Sequence, residues 1–321
     1  MVTEILSKKR GGIRVNIPVP FDESLVEDRF WEPEAWDKNI PSPGFISDFI
    51  STFRGIETGT KLQVWTALHT ISSILKRDAW LQFGPMDFFL NLFVFLVGLP
   101  STKKTSILTW SEKILSEMTK ILEGFEREAK KPNFFHTKAT PEGLFKWLKP
   151  KKVFTADKKD FTYLPSNGTV LSSELSTFLG RQQYNTGLIE MLTNLYDCKP
   201  CEDAMYSTKA PEVLKDTYLT MLGGITPRGL SDSIPEQAFG DGFLSRVILV
   251  YQRKRSRCFS VPRWVEGGLR PRDLGERLAW IALAARGEYI LSPAAFEKYD
   301  AWYKTYWNEE NSNPTVNQRG M

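Results

Sequence analysis

The segment Gly98-Leu99-Pro100-Ser101-Thr102-Lys103-Lys104-Thr105 holds the residue types and spacing best suited to chemistry in this chain. It stands one residue away from G-x-x-x-x-G-K-[ST], the phosphate-binding loop pattern. In such a loop, consecutive backbone N–H groups at a helix start curl around a phosphate, and the helix dipole favours the anion. Gly98 lets the chain leave a strand sharply, Lys104 would reach the β- and γ-phosphates, and the Thr105 hydroxyl would ligate Mg²⁺. The candidate nucleotide-binding residues are Gly98, Pro100, Ser101, Thr102, Lys103, Lys104, Thr105 and Ser106. Lys103 replaces the pattern's second glycine. A side chain there carries a steric cost, and its charge would either add to the phosphate nest or spoil it.

A triphosphatase also needs a carboxylate to orient water and usually a second group near the metal, both at the end of a neighbouring strand. Glu174 follows the apolar run Thr169-Val170-Leu171 and is the candidate catalytic carboxylate; its alternative is a solvated residue at a helix start. Ser173 occupies the metal-side position, where it offers a hydroxyl but no charge. Thr226 ends a third apolar run, Tyr218–Gly224, and would either sense the γ-phosphate or cap the next turn. Arg246, in Gly240–Arg246, is the candidate arginine finger, with a surface or salt-bridged arginine as the alternative. Arg228, Arg253, Lys254 and Arg255 are candidate nucleic-acid contacts, with Arg257, Arg263, Arg270 and Arg272 close by; such a charge run also suits a merely solvated face. The loop Arg228–Phe239 and the segment Arg181–Tyr184 follow strand ends and could face a central pore.

The elements that must position these residues follow from periodicity. Leu92–Val97 is a continuous apolar run, as in a strand buried on both faces. After the loop, Ile107, Trp110, Ile114, Leu115, Met118, Ile121, Leu122 and Phe125 recur three or four apart, which predicts a long amphipathic helix. Residues 44–82 read as helices: Phe45–Phe53, then a segment over 62–76. Thr140 and Pro141 form a helix start. Val153–Thr155 with Phe161–Leu164 suggests a short hairpin. Val247–Tyr251 is a fourth apolar strand, and the tail from about 274 reads as helical. Alternating strands and helices predict an α/β fold with a mostly parallel sheet. The expected layout is an extended arm over 1–43, a helical subdomain over 44–87, the strand-loop-helix core over 88–260 and a helical extension over 261–321.

The bulk properties bound the class. The 321 residues are 41% hydrophobic and 13% aromatic, enough for a sizeable core, and the net charge is +4. That charge permits a polyanionic partner without demanding one. No apolar run reaches membrane-spanning length, and the N-terminus lacks a signal-peptide core. Three cysteines argue against a disulfide scaffold and suit a reducing cytoplasm. Cys198 and Cys201 read as two loop thiols, with a redox pair or partial metal site as the alternative. His69 lies on an apolar helix and reads as a core residue.

The order of these pieces resembles the P-loop, helicase-like proteins of phages, plasmids and integrated elements, where this domain often follows a primase–polymerase module. The matching pieces are WTALHTISSILKR leading to Trp80, LFVFLVGLPSTKKTS, ATPEGLF, VLSSEL, LGGITP and GDGFLSRVILVY, spanning roughly 44–320. The resemblance implies a RecA-type P-loop NTPase core that binds ATP and Mg²⁺, usually as a homo-oligomeric ring acting on single-stranded DNA, with a primase or polymerase as further partner. It implies Lys104 and Thr105 as phosphate and Mg²⁺ residues, Glu174 as catalytic acid, Thr226 as sensor and Arg246 as an arginine acting in trans. Lys103 and Ser173 depart from the family pattern, and the family's sequence normally continues past Gln318–Gly320 into further helices. The expected function is the ATP-hydrolysing motor domain of a mobile-element replicative helicase. The alternative is a degenerate P-loop protein serving as a replication scaffold or a DNA- or partner-binding subunit.

Overall fold

A computed structural model describes residues 40–123, 132–136, 138–150, 152–154, 161–163, 165–180, 186–202, 213–234, 242–252, 255 and 257–312. Outside them lie the expected arm up to residue 39, Phe125, Arg181–Tyr184, the stretch 235–241, Arg253, Lys254 and the tail beyond 312.

The described chain opens with α1 (Phe45–Thr52) and α2 (Thr60–Leu75), then β1 (Ala79–Phe83), β2 (Met86–Phe89), β3 (Phe93–Gly98) and the 20-residue α3 (Lys104–Glu123). Next come β4 (Phe134–Phe135), α4 (Pro141–Leu148), β5 (Lys152–Phe154), β6 (Phe161–Tyr163), β7 (Asn167–Ser172), α5 (Leu175–Leu179) and α6 (Thr186–Tyr196). The remainder is β8 (Cys201–Glu202), β9 (Val213–Leu214), β10 (Tyr218–Ile225), α7 (Pro227–Ser233), β11 (Val247–Gln252), α8 (Pro271–Ala284), β12 (Gly287–Tyr289) and α9 (Pro293–Ser312).

A five-stranded sheet in the order β11-β3-β10-β7-β4 forms the middle layer, and all its pairings are parallel. All six residues of β3 and all eight of β10 are buried, because a parallel sheet is covered on both faces. Side chains alternate along β3. Phe93, Phe95 and Val97 join one core with Leu175, Leu188 and Leu192, while Val94 and Leu96 join the other with Ile107, Ile114 and Leu274. The helices therefore form two outer layers, with α1, α2, α3 and α8 on one face and α4, α5 and α6 on the other. This is an α/β architecture compatible with Rossmann-like and RecA-like folds. No helix among the described residues is long and apolar enough to cross a membrane.

Several elements differ from the periodicity reading. Residues 79–83 and 86–89 are strands rather than the end of a helical segment; they pair antiparallel, and β1 also pairs in parallel with β12. Aromatic-rich sequence with partly exposed residues supports strand as readily as helix, and for β1 a partner 208 residues away decides. The two-residue β4 carried no strand signal of its own. The tail is interrupted by β12. The hairpin β5–β6 forms over 152–154 and 161–163, and Thr140 caps α4 by accepting the Gly143 N–H at 3.1 Å.

Candidate functional site

Parallel registry puts the C-terminal ends of the strands together. Val97 pairs with Ile225, Gly98 with Gln252, and Ser172 with Gly223. The loop 98–103, Ser173, Glu174 and Thr226 therefore leave one edge of the sheet side by side. At this edge β3 runs into α3 on one face, while β10 runs into α7, whose Leu230 packs on the other. Adjacent strands whose connections depart to opposite faces leave a crevice between them, where open α/β sheets bind ligands.

Close approach dictates two glycines here. A Cβ on Gly98 would stand 2.7 Å from the Gln252 carbonyl oxygen and 2.8 Å from Thr102 Oγ1. A Cβ on Gly224 would meet the Ser173 carbonyl at 3.0 Å and Lys104 Cβ at 3.6 Å. The absence of those Cβ atoms lets the loop settle onto the neighbouring strands.

The loop backbone is left-handed at Ser101 (φ 73°) and Lys103 (φ 60°), but not at Thr102 between them. Alternating handedness of this kind is the backbone signature of an anion nest, with the Thr102 N–H turned back to the Leu99 carbonyl at 3.4 Å. Each left-handed non-glycine residue costs about 1–2 kcal/mol, so surrounding contacts must hold the loop. Thr102 supplies some: it is buried, and its hydroxyl donates to the Leu99 carbonyl at 2.8 Å. Lys104 Nζ donates to the carbonyls of Gly98 (2.7 Å) and Leu99 (3.0 Å) and to Thr102 Oγ1 (3.1 Å). Burial pushes the Lys104 ammonium below its ordinary pKa, and the charge of Glu174 pulls part of that back.

Beside the loop lies a cavity of about 310 Å³ lined by Thr105, Glu112, His136, Ser173, Glu174 and Thr177, among others. Its volume is at the lower end for small-molecule sites. Glu174 precedes α5 with an exposed carboxylate that accepts from Ser176 Oγ at 3.0 Å. His136 Nδ1 lies 3.3 Å from the Leu171 carbonyl, and Nε2 lies 3.8 Å from Glu112 Oε1. Sequence reading passed over Glu112 and His136, because the sheet and α3 bring together positions that have no local pattern in common.

Thr226 acts as a helix cap: its Oγ1 accepts the Gly229 N–H at 3.0 Å and opens α7. Lys103 directs its ammonium to Glu57, 3.2 Å away. Ser106 sits half-buried in the first turn of α3, and Pro100 and Ser101 are exposed.

Arg246 stands apart. It precedes β11 at the N-terminal end of the sheet, six residues of strand from the loop edge, or about 20 Å at ~3.3 Å per residue. There it forms a two-pronged pair with Asp197, Nε to Oδ1 at 2.8 Å and Nη2 to Oδ2 at 3.0 Å. The hydrogen bonds from Arg246 are the largest cause holding the Asp197 carboxyl below the usual range.

The basic cluster disperses. Arg228 is exposed and 3.6 Å from Asp232. Arg255 pairs with Glu57 at 3.2 Å. Arg257 is buried, donating to the Arg54 carbonyl at 2.9 Å and Thr60 Oγ1 at 3.1 Å. Arg272 pairs with Glu276 at 3.4 Å, and Arg270 lies over the Trp264 ring. Cys198 and Cys258 are free thiols. No group of three or more metal-ligating side chains occurs among the described residues.

Compared with known proteins, the chain matches no protein-family model and no curated protein.

Proposed function

We propose that the chain binds a nucleoside triphosphate, ATP, in the loop 98–105 and hydrolyses it, as a RecA-like P-loop motor domain of a mobile-element replicative helicase. One observation carries this reading. The left-handed alternation at Ser101 and Lys103 lies between β3 and α3, with Lys104 and Glu174 near enough for their charges to interact. The order of the sheet also supports it. Counted along the chain, its strands run fifth-first-fourth-third-second, unlike the 3-2-1-4-5-6 order of dinucleotide-binding sheets or the 2-1-3-4-5 order of flavodoxin-like ones.

The donor set fits a triphosphate: nest N–H groups, an ammonium and the N-terminus of a 20-residue helix with no acidic residue in its first turn. Lys104 now satisfies its donors on loop oxygens; a phosphate would draw them off, because a charged acceptor bonds more strongly than a carbonyl. Thr105 Oγ1 is the hydroxyl suited to Mg²⁺, which when bound would neutralise charge developing on the phosphate oxygens. Glu174 would accept a hydrogen bond from water in the cavity and orient it. Arg246 cannot reach its own chain's loop along the strand, so a role at a γ-phosphate needs a neighbouring subunit, as in a ring. Single-stranded DNA as substrate, and a primase or polymerase as partner, rest on the family resemblance alone.

Ser173 favours a second reading. It brings no carboxylate to the metal side, as expected of a degenerate P-loop protein that serves as a scaffold or DNA-binding subunit.

The test is Mg²⁺-dependent ATP turnover with and without single-stranded DNA, for this chain and Lys104→Ala. DNA-stimulated turnover that Lys104→Ala abolishes is the expected result. DNA binding without turnover in either protein would overturn the motor reading in favour of the scaffold. Mixing Lys104→Ala with Arg246→Ala subunits tests the ring: a shared site regains part of the lost turnover, because some interfaces then carry both intact residues.

A further inference from the structure

Lys103 occupies the glycine position of the phosphate-loop pattern, and its backbone has the left-handed conformation that glycine adopts freely (φ 60°). Two costs follow: backbone strain, and a second ammonium next to a nest built for one. The structure meets both with one distant segment, Glu57 and Thr58. Glu57, between α1 and α2, is 6% exposed. Its Oε2 takes the Lys103 ammonium at 3.2 Å, while Oε1 accepts from Arg255 at 3.2 Å and from the Phe259 N–H at 3.3 Å. Thr58 Oγ1 donates to the Lys103 carbonyl at 3.3 Å, so the same segment grips both the side chain and the backbone of this residue.

The gripping segment is itself braced. Gln63 Nε2 donates to the carbonyls of Phe53 (3.2 Å) and Thr58 (2.9 Å), Arg257 to that of Arg54, and the Arg263 N–H to that of Gly55 at 3.1 Å. Burial alone would raise the Glu57 pKa, but the hydrogen bonds from Lys103 and Phe259 and the charges of Lys103 and Arg255 outweigh it, and the group stays ionised. A buried carboxylate persists only when so paired.

We propose that Glu57 is a positioning residue for the loop 98–105: it draws the Lys103 ammonium out of the phosphate nest and holds the left-handed turn, leaving Lys104 alone to face the anion. The loop then tolerates lysine where the pattern has glycine. This rests on the phosphate-loop reading.

A double-mutant cycle on the full chain tests it with wild type, Glu57→Gln, Lys103→Gly and the double variant. The readouts are the thermal unfolding midpoint without nucleotide and the affinity for Mg²⁺–ATP by equilibrium titration. Glu57→Gln is expected to weaken ATP binding about tenfold in the wild-type background and less than about twofold beside Lys103→Gly, where glycine needs no tether. The midpoint should show the same dependence on background. Equal losses in both backgrounds, with ATP still bound, would overturn the tether and leave the phosphate-loop reading standing. Coupling in the midpoint with no ATP bound by any of the four proteins would overturn both, reducing Glu57–Lys103 to a structural pair. If Glu57→Gln does not fold, Lys103→Met carries the test: it should bind ATP more weakly than Lys103→Gly, and equal affinities would overturn the proposal.

Discussion

At the N-terminal end of the parallel sheet, Arg246 meets the Asp197 carboxylate with two hydrogen bonds, and Ser72, Tyr218 and Thr220 satisfy one another below 3.2 Å. At the C-terminal end, Lys104 meets only carbonyl and hydroxyl oxygens of its own loop, and the Glu174 carboxylate is exposed. At the first end the arginine is paired charge to charge and the hydroxyls to one another; at the second, Glu57 pairs Lys103 and Arg255 but leaves Lys104 without a carboxylate. The second end holds an exposed carboxylate and a cation whose partners a stronger acceptor would replace, while left-handed non-glycine residues occur at both ends (Cys198 and Asp216 at the first, Ser101 and Lys103 at the second). Weakly paired donors are a feature of sites that await a ligand, whereas charge-to-charge pairing fixes a fold.

The strongest test of that contrast is Lys104→Ala. Turnover is expected to fall at least ~100-fold, the scale for losing one transition-state donor, while the urea midpoint stays nearly constant. A large loss of stability would make Lys104 a structural residue and erase the difference between the ends.

His69 gives the next effect, in stability alone. It is fully buried, neither ring nitrogen has a hydrogen-bond partner, and burial lowers its pKa to about 3. The folded state then binds fewer protons than the unfolded state between that value and the ordinary ~6.5. Its contribution is complete above ~6.5 and is lost as pH falls toward 3, at up to ~1.4 kcal/mol per pH unit. Urea unfolding at pH 7 and pH 5 should show about 2 kcal/mol of this loss, and His69→Leu should remove it from the profile.

Tyr218→Phe probes the paired end directly. The hydroxyl donates to the Ser72 carbonyl at 2.7 Å and lies 3.1 Å from Ser72 Oγ. Its removal should cost about 1–2 kcal/mol and leave ATP affinity unchanged; a changed affinity would mean that the two ends are coupled. Smallest is Arg228→Ala. Its pair with Asp232 is highly exposed and worth under about 0.5 kcal/mol. A fall of about one in the salt slope of single-stranded DNA binding would reveal a phosphate contact.

Much of this arrangement was legible in the chain. The apolar runs before the loop, at Val170 and over Tyr218–Gly224 are strands, since residues buried on both faces have no polar alternation to blur the signal; Val247–Tyr251 is a strand too, an edge one with Leu249 and Tyr251 exposed. The amphipathic helix after the loop and the Thr140 cap follow from spacing that acts within a turn or two. The edge strand β4 was not legible, because two residues carry no period. Nor was β1, because its pairing with β12 depends on a segment 208 residues later.

The sequence by itself determined the strand-loop-helix at 93–123 and the residue types at the strand ends, because these depend on neighbours in the chain. Only the tertiary structure decided what each charge faces. It brought Glu57 to Lys103, turned Thr226 into a cap, tied Arg246 to Asp197 at the far edge of the sheet and scattered the basic run onto separate partners. The reason is physical: a parallel sheet brings its strand ends into line whatever their separation in sequence, and a buried charge takes its partner from whatever the packing sets beside it.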